Sequence, residues 1–385
     1  MRSIIRKYYR VPRPLFLLTV AELLLYLINA AFILILNIYL RKSGFDDQQI
    51  AGFTSYRFLG VLLFAFPFGV FIKGKPLKPF FLAASLIIPL VSLEIVYAIS
   101  IRDTLLLKSG FLSWGIGLML LQVCAVPFIM RIATDDVLSE ALALNFSTWS
   151  TAMILSGVFI SGMTGLNKLS LFGHLILFDE GTILRIISVI SLAAFGCFLF
   201  LKEGKPRAHS ARFTTNFSTL VQDYDWDRIR KAIVPTLIIS VGAGLTIPFI
   251  NLFFYSVFGV DSDQFSVYGS ISAFLVLTGA FFVPTIRRKL GYMQAILGTQ
   301  FLAILFLVIL GLTEIFQNVE GILTLAVLCF LLRQPLMNMA NPMTSELTMK
   351  YVGPKNQELI SALTSSIWSA SWFISAKIFQ ALRGM

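Results

Sequence analysis

The sequence predicts an all-α integral membrane protein built as two parallel repeats of a helical bundle. Three observations predict it: an apolar composition, eleven runs long enough to cross a bilayer, and an internal repeat at an offset of 214 to 219 residues. Of the 385 residues, 57% are hydrophobic and 13% charged, with a mean hydropathy of +0.83. A soluble globule of this composition would lack the polar groups needed to cover its own surface.

Runs sufficient for ~30 Å of hydrocarbon occupy residues 15–40, 49–72, 77–99, 110–133, 141–165, 182–201, 231–258, 264–285, 291–313, 320–344 and 358–382. Each is expected to be a helix, because an irregular backbone leaves its amides unsatisfied in lipid. The fifth and eleventh runs repeat each other without gaps at an offset of 219, sharing Ala143/Ala362, Ser147/Ser366, Trp149/Trp368 and Ser156/Ser375. Asn37 and the following Gly44-Phe-Asp46 reappear as Asn251 and Gly259-Val-Asp261. The repeat divides the chain into a six-helix bundle at 1–201, a linker at 202–230 and a second bundle at 231–385 that holds five spans. By the same repeat, a twelfth helix is expected beyond Met385.

The net charge of +11 is distributed by topology. Most basic residues fall on the N-terminal tail (Arg2, Arg6, Lys7, Arg10, Arg13), on alternate loops and on the linker, while the opposite loops carry few, such as Arg41, Lys42 and Lys168. The positive-inside rule places the N-terminus and the linker in the cytoplasm. A multi-pass protein of the cytoplasmic, or inner, membrane follows, with no nucleic-acid partner. Cys124, Cys197 and Cys329 all lie inside apolar runs and read as small fillers. No metal or cofactor spacing is present, and His174 and His209 both lie in loops. Without paired intramembrane carboxylates or a histidine site, a membrane enzyme is disfavoured.

Four places carry a family resemblance: the short polar loop Gly44–Ile50, the segment from Pro67 through Gly69, Lys73 and Lys75 to Lys78, its weaker counterpart Val283–Gly291 with Arg287 and Arg288, and the Ser/Gly-rich fifth run ending Ser161-Gly162-Met-Thr-Gly165. On these residues the chain resembles the major facilitator superfamily. The resemblance implies transport by alternating access, with Gly69, Lys73, Lys75, Lys78, Arg287 and Arg288 in gating loops. One departure stands out: where the family's first such loop carries an acid, this chain has Lys73, which puts the family's acidic latch in question. The resemblance also implies that spans 1, 4, 7 and 10 line the central path, so that Asn37, Gln122 and Asn251 face it.

Ionisable groups within spans are costly and mark function. Arg333 lies about 20 Å into the tenth span at 1.5 Å per residue, and Arg57 and Glu22 are roughly 12 Å from an end of theirs. Gln334, Asn338, Asn341 and Ser345 recur at +4, +3 and +4 on one helical face beside Arg333, and Pro335 and Pro342 interrupt the backbone ladder there. This stripe is expected to wall an aqueous cavity; the plainer reading is a structural interhelical network. Small residues Gly157, Ser161 and Gly165 form a stripe suited to close helix packing. The working function is a monomeric carrier of a small organic or inorganic anion, with Glu22 as the candidate for a coupling proton, since burial penalises the charged carboxylate. Export of amphipathic compounds, or a degenerate carrier fold without transport, are the alternatives.

Overall fold

Among the described residues the apolar runs are helical. The computed structural model describes residues 11–45, 47–166, 178–203, 224–246, 250–260 and 262–383. Arg2, Arg6, Lys7, Arg10, Asp46, Lys168, His174, His209, Asp261 and most of the linker lie outside the described residues, as does the side chain of Asn251.

The helices in chain order are α1 (Arg13–Lys42), α2 (Asp47–Phe71), α3 (Lys78–Ile101), α4 (Thr104–Ile132), α5 (Leu138–Leu166), α6 (Glu180–Leu199), α7 (Trp226–Thr246), α8 (Ile250–Phe258), α9 (Ser262–Leu312), α10 (Ile322–Val352) and α11 (Gln357–Arg383). A π-helical turn, Phe32–Leu36, interrupts α1. Arg102, in the left-handed region at φ 57, ends α3. Asp103 then caps α4 by accepting from the backbone N–H groups of Leu105 and Leu106 at 2.9 and 3.0 Å.

Among the described residues, eight helices are long and apolar enough to cross a membrane, α9 being one. As a single rod its 51 residues would extend about 75 Å. Instead Gly291, at φ 74 and ψ 174, breaks the helix. Phe265 and Tyr268 near its start share one apolar cluster with Phe306, Ile309 and Leu310 near its end. α9 is therefore a hairpin of two arms, which hold the eighth and ninth predicted spans. α7 with α8, and α11, hold the seventh and eleventh. α10 runs about two turns past the predicted end at residue 344. Those turns stay helical because Glu346, Met349 and Val352 are buried against neighbours.

The helices preceding residue 204 (the N-terminal set) share one large apolar core, with Phe81, Phe111, Trp114 and Phe128 fully enclosed. The helices following residue 223 form the C-terminal set. The two sets meet where α2 packs on α11 and α5 on α9. Close approach is made by glycines other than those of the predicted stripe. A Cβ at Gly115 would lie 2.1 Å from the Arg57 carbonyl, one at Gly60 2.6 Å from the Leu112 carbonyl, and one at Gly69 2.3 Å from Ala362 Cβ. By contrast, a Cβ at Gly157 or Gly162 would meet nothing within 4 Å among the described residues. Small residues permit close packing, but only the neighbour's position decides whether it happens.

Candidate functional site

A polar cluster lies where α1, α2, α4 and α5 converge. Glu22, Tyr26 and Asn29 follow one another at +4 and +3, which puts them on one face of α1. Glu22 is fully buried. Its Oε2 accepts a hydrogen bond from Asn145 Nδ2 of α5, while Oε1 has no hydrogen-bond partner among the described residues. The carboxyl can therefore gain or lose a proton at Oε1 and keep its contact to Asn145.

Tyr26 meets Trp149 of α5 edge-on with ring centroids 5.8 Å apart. The Tyr26 hydroxyl lies within reach of Gln122 of α4, and within electrostatic reach of Glu22 and Arg57. The Arg57 guanidinium sits over the Trp114 ring at 4.7 Å from its centroid, an arrangement that stabilises a desolvated cation by about 2 kcal/mol. The contact depends on the absence of a side chain at Gly115, which lets α4 reach the α2 backbone. Of the residues singled out from the sequence, Glu22, Arg57 and Gln122 thus come together. Tyr26, Asn145 and Trp149 complete the cluster; the +4 spacing from Glu22 to Tyr26 was the available signal.

The residues of α10 form a separate group. Arg333 is 2% exposed, and its Nε and Nη1 have no hydrogen-bond partner among the described residues. It lies about 16 Å from the start of α10, the depth at which Arg57 lies in α2. Gln334 and Ser345 are half-buried. Asn338 donates from Nδ2 to the Gln334 carbonyl at 2.9 Å, so its amide is turned back onto its own helix. Asn341 and Asn37 are exposed. Among the described residues no hydrogen bond joins this group to the Glu22 cluster.

All six gating-loop residues sit at one end of the bundle, the basic end. Lys73 lies over the Tyr224 ring at 4.0 Å and Lys75 over the Phe71 ring at 3.2 Å. Lys78 donates to the Leu199 carbonyl at 2.7 Å, and Gly69 abuts α11. Two acids from other segments lie beside the first loop. Arg131, in the last turn of α4, pairs with Glu203 at 3.2 Å and with Glu358 of α11. It also donates to the Lys75 carbonyl at 2.8 Å. Glu203 in turn accepts from the backbone N–H groups of Leu77 and Lys78 at 2.8 and 3.0 Å, at the start of α3, where a negative charge is favoured. On the other seam Arg288 pairs with Glu140 of α5 at 2.7 Å, and Arg287 with Glu346 of α10 at 2.7 Å. Ser139 of α5 donates to Glu346 at 2.6 Å, and Lys350 pairs with Asp135 at 2.9 Å. The two sets are bound together at this end.

Solved structures with the same fold include FucP, the E. coli fucose:proton symporter, in its outward conformation. It shares 16% identity over 97% of this chain and 92% of its own, at a TM-score of 0.72. A bacterial homologue of the iron transporter ferroportin, outward-facing, shares 11% over 97% of this chain and 93% of its own, at 0.77. The human organic anion transporter TETRAN shares 13% over 94% and 91%, at 0.68. No curated protein sequence matches the chain. The profile of the Major Facilitator Superfamily matches residues 18–376. That match spans most of the chain, and the chain belongs to the Major Facilitator Superfamily.

Proposed function

We propose that this transporter carries a small organic or inorganic anion across the cytoplasmic membrane by alternating access, with Glu22 exchanging a coupling proton. The observation that carries the anion reading is Arg333, buried with two guanidinium nitrogens unpartnered among the described residues. A buried cation without an acceptor is costly, and a solute anion supplies the acceptor. Among the described residues, ion pairs lie at the two ends of the bundle and in the first turns of α7, and none involves Arg57 or Arg333. Gln334, Asn338, Asn341, Gln122, Asn37, Asn251 and Arg57 are the further residues assigned to the solute path. That one fold neighbour is an organic anion transporter and another a fucose:proton symporter is in keeping with both parts of the proposal.

In this reading the bundles 1–201 and 231–385 rock about the solute, joined by the cytoplasmic linker 202–230, and the chain acts as a monomer. The basic end is the cytoplasmic end, so its ion pairs support an outward-facing arrangement. The test is uptake into proteoliposomes of labelled carboxylates, phosphate and sulfate, with a neutral sugar for comparison, with and without an imposed pH gradient. Anion uptake that falls at least about tenfold in Arg333→Gln, equivalent to 1.4 kcal/mol, is the expected result. Undiminished uptake in that variant would overturn the anion-site assignment.

A further inference from the structure

α5, which donates to Glu22 through Asn145, is also a helix of the basic-end seam. Asn145, which donates to Glu22, lies five and six residues after Glu140 and Ser139 in α5, about 7.5 and 9 Å along the axis. Glu140 receives Arg288, and Ser139 donates to Glu346 of α10. Between them Ala143 packs against Val283 of α9 and Met339 and Met343 of α10. Eleven residues beyond Asn145, Ser156 donates to the Leu27 carbonyl of α1 at 2.8 Å, a tie that carries no charge.

We infer that Asn145 couples the charge state of Glu22 to closure of the basic end, acting as a positioning residue on α5. The inference rests on the proton reading given above. An amide donates about twice as strongly to a carboxylate as to a neutral carboxyl. Ionised Glu22 therefore holds the foot of α5 against α1, in the position where Glu140 and Ser139 meet their partners. A proton on Glu22 weakens that hold. The Ser156 tie is unaffected and becomes the fixed point, so α5 swings at its foot and loosens the seam. The charged and titratable groups within electrostatic reach are Tyr26 on α1 and, through it, Arg57 on α2. α5 offers the neutral Asn145, α4 the neutral Gln122, and α6 meets α1 through Ser191, which donates to the Leu24 carbonyl at 2.8 Å. Asn145 is thus the contact through which a change at Glu22 reaches another helix directly.

Amide hydrogen exchange of the full chain in lipid nanodiscs, corrected for intrinsic rates and followed through a pH titration, tests this. Wild-type peptides covering residues 137–143 and 346–352 are expected to lose protection in a step as pH falls. The step is lost in Glu22→Gln and in Asn145→Leu, and it returns in Asn145→Gln, which keeps the amide donor. Glu140→Gln is expected to lower protection at every pH while leaving the step in place, as a simple seam defect would. A wild-type-sized step in Asn145→Leu would overturn the link and leave the proton reading standing. Absence of any step in the wild type would overturn both. Where Asn145→Leu fails to fold, Asn145→Ala removes the same hydrogen bond with less bulk, and the same outcomes apply.

Discussion

Glu140 and Glu358 occupy the first turns of α5 and α11, and each receives an arginine from the opposite set of helices. Arg288 reaches Glu140 from the C-terminal set, and Arg131 reaches Glu358 from the N-terminal set. α5 and α11 are the helices that the sequence repeat pairs, so the two glutamates are counterparts, while their arginines come from different elements, α9 and the end of α4. A helix start already favours a carboxylate. Adding an arginine there ties the two sets together at an end where water can re-solvate both charges on opening, which keeps the contact reversible.

Breaking the Arg131 contact should loosen the basic end. The Glu358 carboxylate is 6% exposed, and a charge-assisted bond of this kind contributes about 2 kcal/mol. A double-mutant cycle of Arg131→Gln and Glu358→Gln, read by exchange of amides 353–360, is expected to give a coupling of that order. Additive effects would mean that the pair does not hold the seam.

Gly115→Ala should be among the most damaging small substitutions in the chain. Its Cβ would overlap the Arg57 carbonyl at 2.1 Å, forcing α2 and α4 apart at a cost of about 1–3 kcal/mol and displacing Arg57 from Trp114. Gly157→Ala, whose Cβ meets nothing within 4 Å among the described residues, is expected to stay within about 0.5 kcal/mol of wild type. Thermal unfolding of both variants in the same detergent makes the comparison.

Glu22→Gln fixes the carboxyl in a neutral form. Gradient-driven uptake is expected to vanish while solute counterflow persists. Loss of both activities would assign Glu22 to solute binding instead of proton exchange.

Asp179 caps α6, and its side chain accepts from the Thr182 N–H at 3.0 Å. Partial burial acts to raise its pKa, but hydrogen bonds from Thr182 and the nearby Arg185 outweigh it and hold the carboxyl below its ordinary 3.8. The sign follows from linkage. The contribution is fully present above the unfolded-state value and is lost as pH falls through the lower folded-state value. Asp179→Ala should therefore cost about 1 kcal/mol near neutral pH, and the difference from wild type should shrink in acid below that range. A difference that is the same at all pH values would exclude the charged cap.

The apolar runs were legible in the sequence because lipid leaves the backbone no alternative to helix. Their composition alone marks 15–40 or 77–99 as spans. A break between the eighth and ninth is expected at 286–290, but those residues stay helical and the chain turns at Gly291, one residue on. The sequence also singled out Glu22, Arg57, Gln122 and Arg333, because a charge or amide in a long apolar run stands out against its neighbours.

Partnership was decided by the tertiary structure. Asn145 sits in an ordinary-looking serine-rich run, and nothing local ties it to a glutamate 123 residues earlier. In the sequence Glu203 is a linker charge and Glu358 opens the eleventh run, and only folding brings both to Arg131. Gly115 and Gly157 are alike in sequence, and only the neighbour's position separates a close contact from open space. Residue type and periodicity settle what each helix is, because they act within a few turns. Which helix lies beside it, and so which charge is paired and which is left for a ligand, depends on contacts between residues far apart in the chain.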